Sequence, residues 1–235
     1  EATAATGVVT VAAETGATTV VTFTNGSQSV SKTVTGNGST PVPVELTSAE
    51  LTTLGNGTIS VSATATDAAG NASSAGTSSF TLDTAAPTVP TLALGSGVSN
   101  GATAIEATAV TGVVTVTAEL GTSTVVTFTN GVNTVSKTVT GNGSTPVPVV
   151  LTSSELTTLG DGTISVSATA TDVAGNASSA GTSSFTLDTA APTTPTLTLG
   201  AGVSNGATAV EAMAGTGVIT VTAEAGATTV VTFTN

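Results

Sequence analysis

The chain has 235 residues, and its 14 acidic side chains against two basic ones give a formal net charge of −12. It contains no His and no Cys, which excludes a disulfide framework, thiolate and imidazole metal sites and Ser-His-Asp catalysis. Lys32 and Lys137 alone cannot hold a phosphate backbone, and an acidic surface is repelled by anionic lipid headgroups, so nucleic acid and lipid surfaces are excluded as partners.

The first strand-like segment, "GVVTVAAETGATTVVTFTNG" from Gly7, returns as "GVVTVTAELGTSTVVTFTNG" from Gly112 and as "GVITVTAEAGATTVVTFTN" from Gly217. The spacing is 105 residues each time, and residues 1–105 match residues 106–210 at 89 of 105 positions. A period this long suits an array of whole domains rather than a solenoid coil. The phrase Asp-Thr-Ala-Ala-Pro reads as a linker, because Pro resists continuation of either helix or strand. The expected units are therefore 1–83, lacking its first strand, a complete unit 84–188, and 189–235, which begins a third unit and stops in its third strand at "VVTFTN".

Seven strands are expected in the complete unit. The first is "PTLALG", Pro90 to Gly95. The second, "GVVTVTAE", turns Val114, Val116 and Ala118 to one face, and the third, "TVVTFT", turns Val126 and Phe128 inward. The fourth, "NTVSKTVT", is the weaker pattern because Lys137, read as a solvated strand residue, lies in phase with Val135 and Val139. The fifth, "PVPVVL", carries two prolines and belongs at a sheet edge. A helical turn over 151–162 follows, with Ser153 or Ser154 as its cap and Gly160 as its end. In the sixth strand Ile164, Val166, Ala168 and Ala170 alternate with Ser and Thr, and in the seventh Phe185 and Leu187 face inward.

Short alternating strands at this spacing, rich in Thr and Val, predict an all-β fold: tandem immunoglobulin-like β-sandwiches of about seven strands each, in an elongated rod. The mean hydropathy of +0.43 does not imply membrane insertion. Thr, Ser and Gly break every apolar stretch short of the roughly 18 residues a span needs. No signal-peptide pattern stands at Glu1.

Strands that alternate in direction put the acids at two poles. One pole of the complete unit carries Asp83, Glu119 and Asp172, with Asn176 in the turn of Asp172. The other carries Glu106, Glu155, Asp161 and Asp188, with Glu106 at a strand end and Glu155 in the helical turn. Stacking units end to end sets Asp83 at a junction, also near Glu1, Glu50 and Asn56 of the unit behind. Carboxylates converging without Lys or Arg repel one another unless a cation intervenes, and oxygen-only ligands suit Ca²⁺. The competing reading of "TDVAGN" is a turn in which the Asp side chain accepts backbone N–H bonds. Asp161 is Asn56 in the first copy, so a carboxylate is not required there.

The stretch "SVSATATDVAGNASSAGTSSFTLDTAAPTTPTL" resembles the bacterial Ig-like repeats of giant secreted adhesins, the extender arrays of RTX-type, biofilm and ice-binding adhesins. The resemblance covers essentially the whole chain. It implies type I secretion, an extracellular location on the bacterial cell surface and calcium at the domain junctions. By motif, it implies ligands at Asp67 and Asp172 in the "TDxAGN" loops and at Asp83 and Asp188 in the linkers, to which the pole argument adds Glu119, Asn176 and Glu106. The implied role is a non-enzymatic, monomeric extender that contacts neighbouring repeats of its own polypeptide and projects a distal binding domain. The alternative is a subunit of a self-assembling extracellular fibre or surface layer. A carbohydrate-binding module or paired-carboxylate glycosidase lacks an aromatic platform, and an ice-binding Thr ladder needs a much shorter period.

Overall fold

The computed structural model describes residues 7–234. The first copy contains β1 (Val9–Val11), β2 (Thr18–Thr24), β3 (Ser29–Thr35), β4 (Val42–Val44), α1 (Ser48–Leu54), β5 (Gly57–Thr66) and β6 (Gly76–Leu82). The second contains β7 (Thr91–Leu94), α2 (Ala104–Ala107), β8 (Val114–Thr117), β9 (Ser123–Thr129), β10 (Thr134–Thr140), β11 (Val147–Val149), α3 (Ser153–Leu159), β12 (Gly162–Thr171) and β13 (Gly181–Leu187). The third contains β14 (Thr196–Leu199), α4 (Ala209–Ala212) and β15 (Ile219–Thr222).

The second copy is a two-layer sandwich. One layer is the sheet β10-β9-β12-β13 and the other is β11-β8-β7, all antiparallel. All seven expected strands are present, and β11 takes an edge, as its prolines require. The alternation decides the layers: Ile164, Val166, Ala168 and Ala170 of β12 are buried, as are Val126, Phe128, Phe185 and Leu187. Phe128 and Phe185 meet edge-on at 6.5 Å between ring centres. Each fully buried Phe, Leu, Ile or Val contributes roughly 1.5–3 kcal/mol, so this aliphatic core is held by number rather than by large rings.

The first copy builds the matching sheet β3-β2-β5-β6, and among the described residues its other layer has β1 and β4 alone. In the second copy Leu92 of β7 lies opposite Val116, and Leu94 opposite Val114. Without that strand, Phe80, Ala63 and Ala65 are half-buried where Phe185, Ala168 and Ala170 are buried. In the third copy β14 and β15 pair, while residues 227–234 form no strand. The expected third strand at "VVTFTN" is therefore corrected. In the earlier copies it is paired on both sides, by β3 and β5 or by β10 and β12, and among the described residues no strand pairs with it here.

Three local expectations need correction. Thr152, not Ser153 or Ser154, caps α3: its hydroxyl accepts from the Glu155 N–H while Glu155 accepts from the Thr152 N–H. This is a capping box, legible as Thr-x-x-Glu; Gly160 ends the helix as expected. Glu106 stands not at a strand end but at the third position of α2, in the same kind of box with Thr103. Lys137 is not simply solvated. It follows the inward phase of edge strand β10 and reaches over α3 to Glu155 at 2.6 Å; Lys32 reaches Glu50 at 2.7 Å.

Candidate functional site at the repeat junction

The loop from Asp172 to Asn176 closes on itself. Asp172 accepts the backbone N–H of Asn176 at 2.8 Å through Oδ1 and its side-chain amide at 2.9 Å through Oδ2. The main chain seals the turn through Asp172 N–H to the Asn176 carbonyl at 3.1 Å. Gly175, at φ 94°, supplies the left-handed step. The Asn176 side-chain amide holds the Asp172 carboxyl below its ordinary range. Slight desolvation opposes this, and backbone N–H groups reinforce it. The loop at Asp67 and Asn71 makes the same bonds, so the loop is preformed by its own residues.

An amide nitrogen has two N–H groups, and the loop uses one. Asn176 gives the other to the main-chain carbonyl of Asp83 at 3.2 Å. Asp83 is in turn tied backward. Its Oδ1 accepts from the side-chain amide of Asn56 at 3.3 Å and from the Ala85 N–H at 3.0 Å. Asn56 Oδ1 accepts from the backbone and hydroxyl of Thr84. Glu119 Oε2 accepts from the Thr88 N–H at 3.2 Å. Pro87 and Pro90 are buried, and the Pro90 carbonyl lies where a Cβ on Gly181 would meet it at 1.9 Å. A linker of small residues is thus pegged from both sides.

The second linker repeats part of the pattern. Glu224 accepts from the Thr193 N–H at 3.0 Å, as Glu119 does from Thr88. Asp188 Oδ1 accepts from Ala190 N–H at 3.1 Å, and Asp161 Oδ1 from Thr189 N–H at 2.9 Å. Here Asp188 N–H also bonds the Ala102 carbonyl, and Ala102 N–H bonds the Thr186 carbonyl. The segment before α2 therefore closes this pole.

Asp83, Glu119, Asp172 and Asn176 share one pole and one linker, as the alternating strands predict, and Asn56 joins them from behind. Glu50 does not; it caps α1 and pairs with Lys32. Glu1 lies outside the described residues. Glu106 accepts the Thr103 N–H and hydroxyl, both at 2.9 Å, and these bonds hold its carboxyl below the ordinary range against slight desolvation. It packs over Gly97, where a Cβ would meet its Oε1. Sequence reasoning passed over Glu224, which the spacing of 105 from Glu119 could have found, and the Pro87 and Pro90 pegs. Its ligand count also ran ahead of the geometry. Among the described residues, no three acidic side chains converge to hold a metal ion. The donors at the junction are all oxygen and suit a hard cation in kind, but each carboxylate here already accepts N–H bonds.

No protein-family model and no curated protein matches the chain. It is similar in structure to adhesin repeats. The tetra-tandem repeat in the extending region of a large adhesion protein is 25% identical, with a TM-score of 0.35, over 80% of this chain and 45% of its own. A 1.5-MDa bacterial ice-binding adhesin, solved for its host cell surface retention, gives 22% and 0.34 over 79% and 58%. The FN1-FN3 domains of chicken CNTN1 give 13% and 0.28 over 80% and 64%. The chain thus spans less than two thirds of each.

Proposed function

We propose that this chain is a structural, non-catalytic extender segment of a large secreted bacterial adhesin, in which repeats joined by pegged linkers project a distal binding domain from the cell surface. The observation that carries the reading is the junction itself. Asp83 is bonded to Asn56 behind it and to Asn176 ahead of it, so the linker transmits orientation from one repeat to the next. The 105-residue period and the "TDxAGN…LDTxAP" phrase supply the adhesin context. Strands of up to 10 residues, at about 3.3 Å each, make a unit roughly 30 Å long, so copy number sets reach.

Calcium at the junction belongs to the same proposal. The residues that would hold it are Asp83, Glu119, Asp172 and Asn176 at one linker and Asp188 at the next, completed by main-chain carbonyls and water. Its chemistry would be neutralisation of acids that have no lysine beside them. Small-angle scattering over a concentration series, with calcium and with EGTA, tests both parts. A maximum dimension that is long and independent of concentration supports the extender, and growth with concentration selects the fibre subunit instead. If neither melting temperature nor maximum dimension responds to EGTA, calcium has no part in the junction.

A further inference from the structure

One difference between the copies falls in the loop that faces each linker aspartate and leaves the fold unchanged. Residue 56 is Asn and its counterpart 161 is Asp. Both accept the following linker threonine in the same way through Oδ1: Asn56 from Thr84 at 3.0 Å (N–H) and 2.7 Å (hydroxyl), Asp161 from Thr189 at 2.9 and 2.8 Å. The remaining polar atom of the side chain is the one whose chemistry differs. In Asn56 it is a nitrogen that donates to Asp83 Oδ1 at 3.3 Å. In Asp161 it is a carboxylate oxygen, with the Asp188 carboxylate in the place of Asp83. A carboxylate oxygen cannot donate, so the side-chain bond from Asn56 to Asp83 has no counterpart between Asp161 and Asp188.

We propose that position 56/161 is a latch that sets linker stiffness repeat by repeat. Asn locks the linker aspartate to the loop before the long strand, and Asp leaves it unlocked. An array then carries its pattern of stiff and compliant joints in a single amide-or-acid choice, without any change in the domains. Two other contacts also differ between the joints, Asn176 to the Asp83 carbonyl at the first and Asp188 N–H to the Ala102 carbonyl at the second, so each variant is read only against wild type at its own linker, while the linker-aspartate turn is alike in both. Ala85 and Ala190 donate to Oδ1 of their own linker aspartates at 3.0 and 3.1 Å. The two lysines are paired to Glu50 and Glu155.

The latch rests on the chain being a jointed rod, but it is tested separately from reach. Amide hydrogen exchange of Thr84, Ala85, Thr189 and Ala190 is followed by NMR in the full chain in EGTA, for wild type, Asn56→Asp and Asp161→Asn. Each variant is compared with wild type at its own linker. The expected result is about fivefold faster exchange at Thr84 and Ala85 in Asn56→Asp, and about fivefold slower exchange at Thr189 and Ala190 in Asp161→Asn, the size expected for one net hydrogen bond. High salt should shrink the difference between Asp161 and its Asn variant by screening the carboxylates. Exchange of the core amides of Val21 and Val61 in the first copy, and of Val126 and Val166 in the second, confirms that each variant remains folded. Unchanged linker exchange in both variants overturns the latch, even if scattering still shows an extended rod. An equal change at both linkers in either variant overturns it too.

Discussion

Replacing Asn176 by Ala isolates the bond that joins two repeats. The substitution keeps the backbone N–H that Asp172 accepts and removes both side-chain bonds, one to Asp172 Oδ2 at 2.9 Å and one to the Asp83 carbonyl at 3.2 Å. Asn71→Ala is its internal control. Asn71 makes the same loop bond to Asp67 at 2.8 Å, and among the described residues its side chain bonds no linker carbonyl. The loop loss is therefore common to both variants, and the difference between them reports the junction. A neutral hydrogen bond of ordinary length contributes about 0.5–1.5 kcal/mol net, so the junction share should be about 1 kcal/mol, or roughly fivefold in a local opening equilibrium. Local opening is the right quantity because an array of domains does not unfold in one step. The assay is hydrogen exchange at Thr84 to Val89, together with residual dipolar couplings that report the mutual orientation of the first two repeats. Asn176→Ala should speed linker exchange and scatter the couplings, and Asn71→Ala should do neither. Equal effects of the two variants on the first linker would refute the claim that Asn176 carries the joint.

Gly181→Ala places a Cβ 1.9 Å from the Pro90 carbonyl, whereas Gly76→Ala meets nothing closer than the Ala63 carbonyl at 4.0 Å. The first should cost about 1–3 kcal/mol by overpacking and the second close to nothing, read from denaturant melts of each copy. In the first copy the hydroxyl of Thr19 is buried without a partner, while its counterpart Thr124 pairs with Thr122 at 3.3 Å. Because Ala17 stands where Thr122 does, Ala17→Thr should stabilise the first copy by about 1 kcal/mol, and Thr122→Ala should destabilise the second. Lys32, then the Thr47 N–H, holds the Glu50 carboxyl at about 2 against an ordinary 4.5. A depressed carboxylate contributes stability that is present above its unfolded value and lost as pH falls from about 4.5 through about 2. The pair is partly exposed, so the loss should be only about 0.2–1 kcal/mol. It should be absent in Glu50→Gln, with melting followed from pH 7 to 2.

The sandwich was legible because period-two alternation fixes which face of a strand is buried. Ile164, Val166, Ala168 and Ala170 could face only one way. The poles followed from strand direction alone, which is why Asp83, Asp172 and Asn176 could be placed together before any coordinate. What resisted reading were interactions that repeat no pattern. Glu106 looked like a free acid because a helix of four residues leaves too little periodicity to detect. Lys137 looked solvated because its ion pair crosses from an edge strand to a helix 18 residues on. Carboxylate convergence was inferred from charge, and charge does not say whether N–H groups have already satisfied it. Thr-x-x-Glu, present four times, at Glu50, Glu106, Glu155 and Glu211, was the signal that some of these acids were caps.

The distribution of charge explains why variation in such a chain would act at its joints. No described acid stands in a strand. On β9, β10, β12 and β13 every outward residue except Val125 is Ser or Thr, and on β2, β3, β5 and β6 every one except Val20. These faces are hydrated without carrying charge. The two lysines sit on the edge strands β3 and β10, where a charge discourages pairing with another sheet. Apart from Glu50 and Glu155, which pair with those lysines, the described acids lie in loops and short helices between the strands, several of them where consecutive repeats meet. Ends this acidic would repel, and the chain answers with N–H donors: Asn56, Asn176, Thr88 and Thr193 each supply one to an acidic residue or its main chain. A substitution on a hydroxylated face changes hydration and little else. A substitution among these few donors acts on the joint between repeats, and in the proposed extender its effect on reach would grow with the number of repeats beyond it.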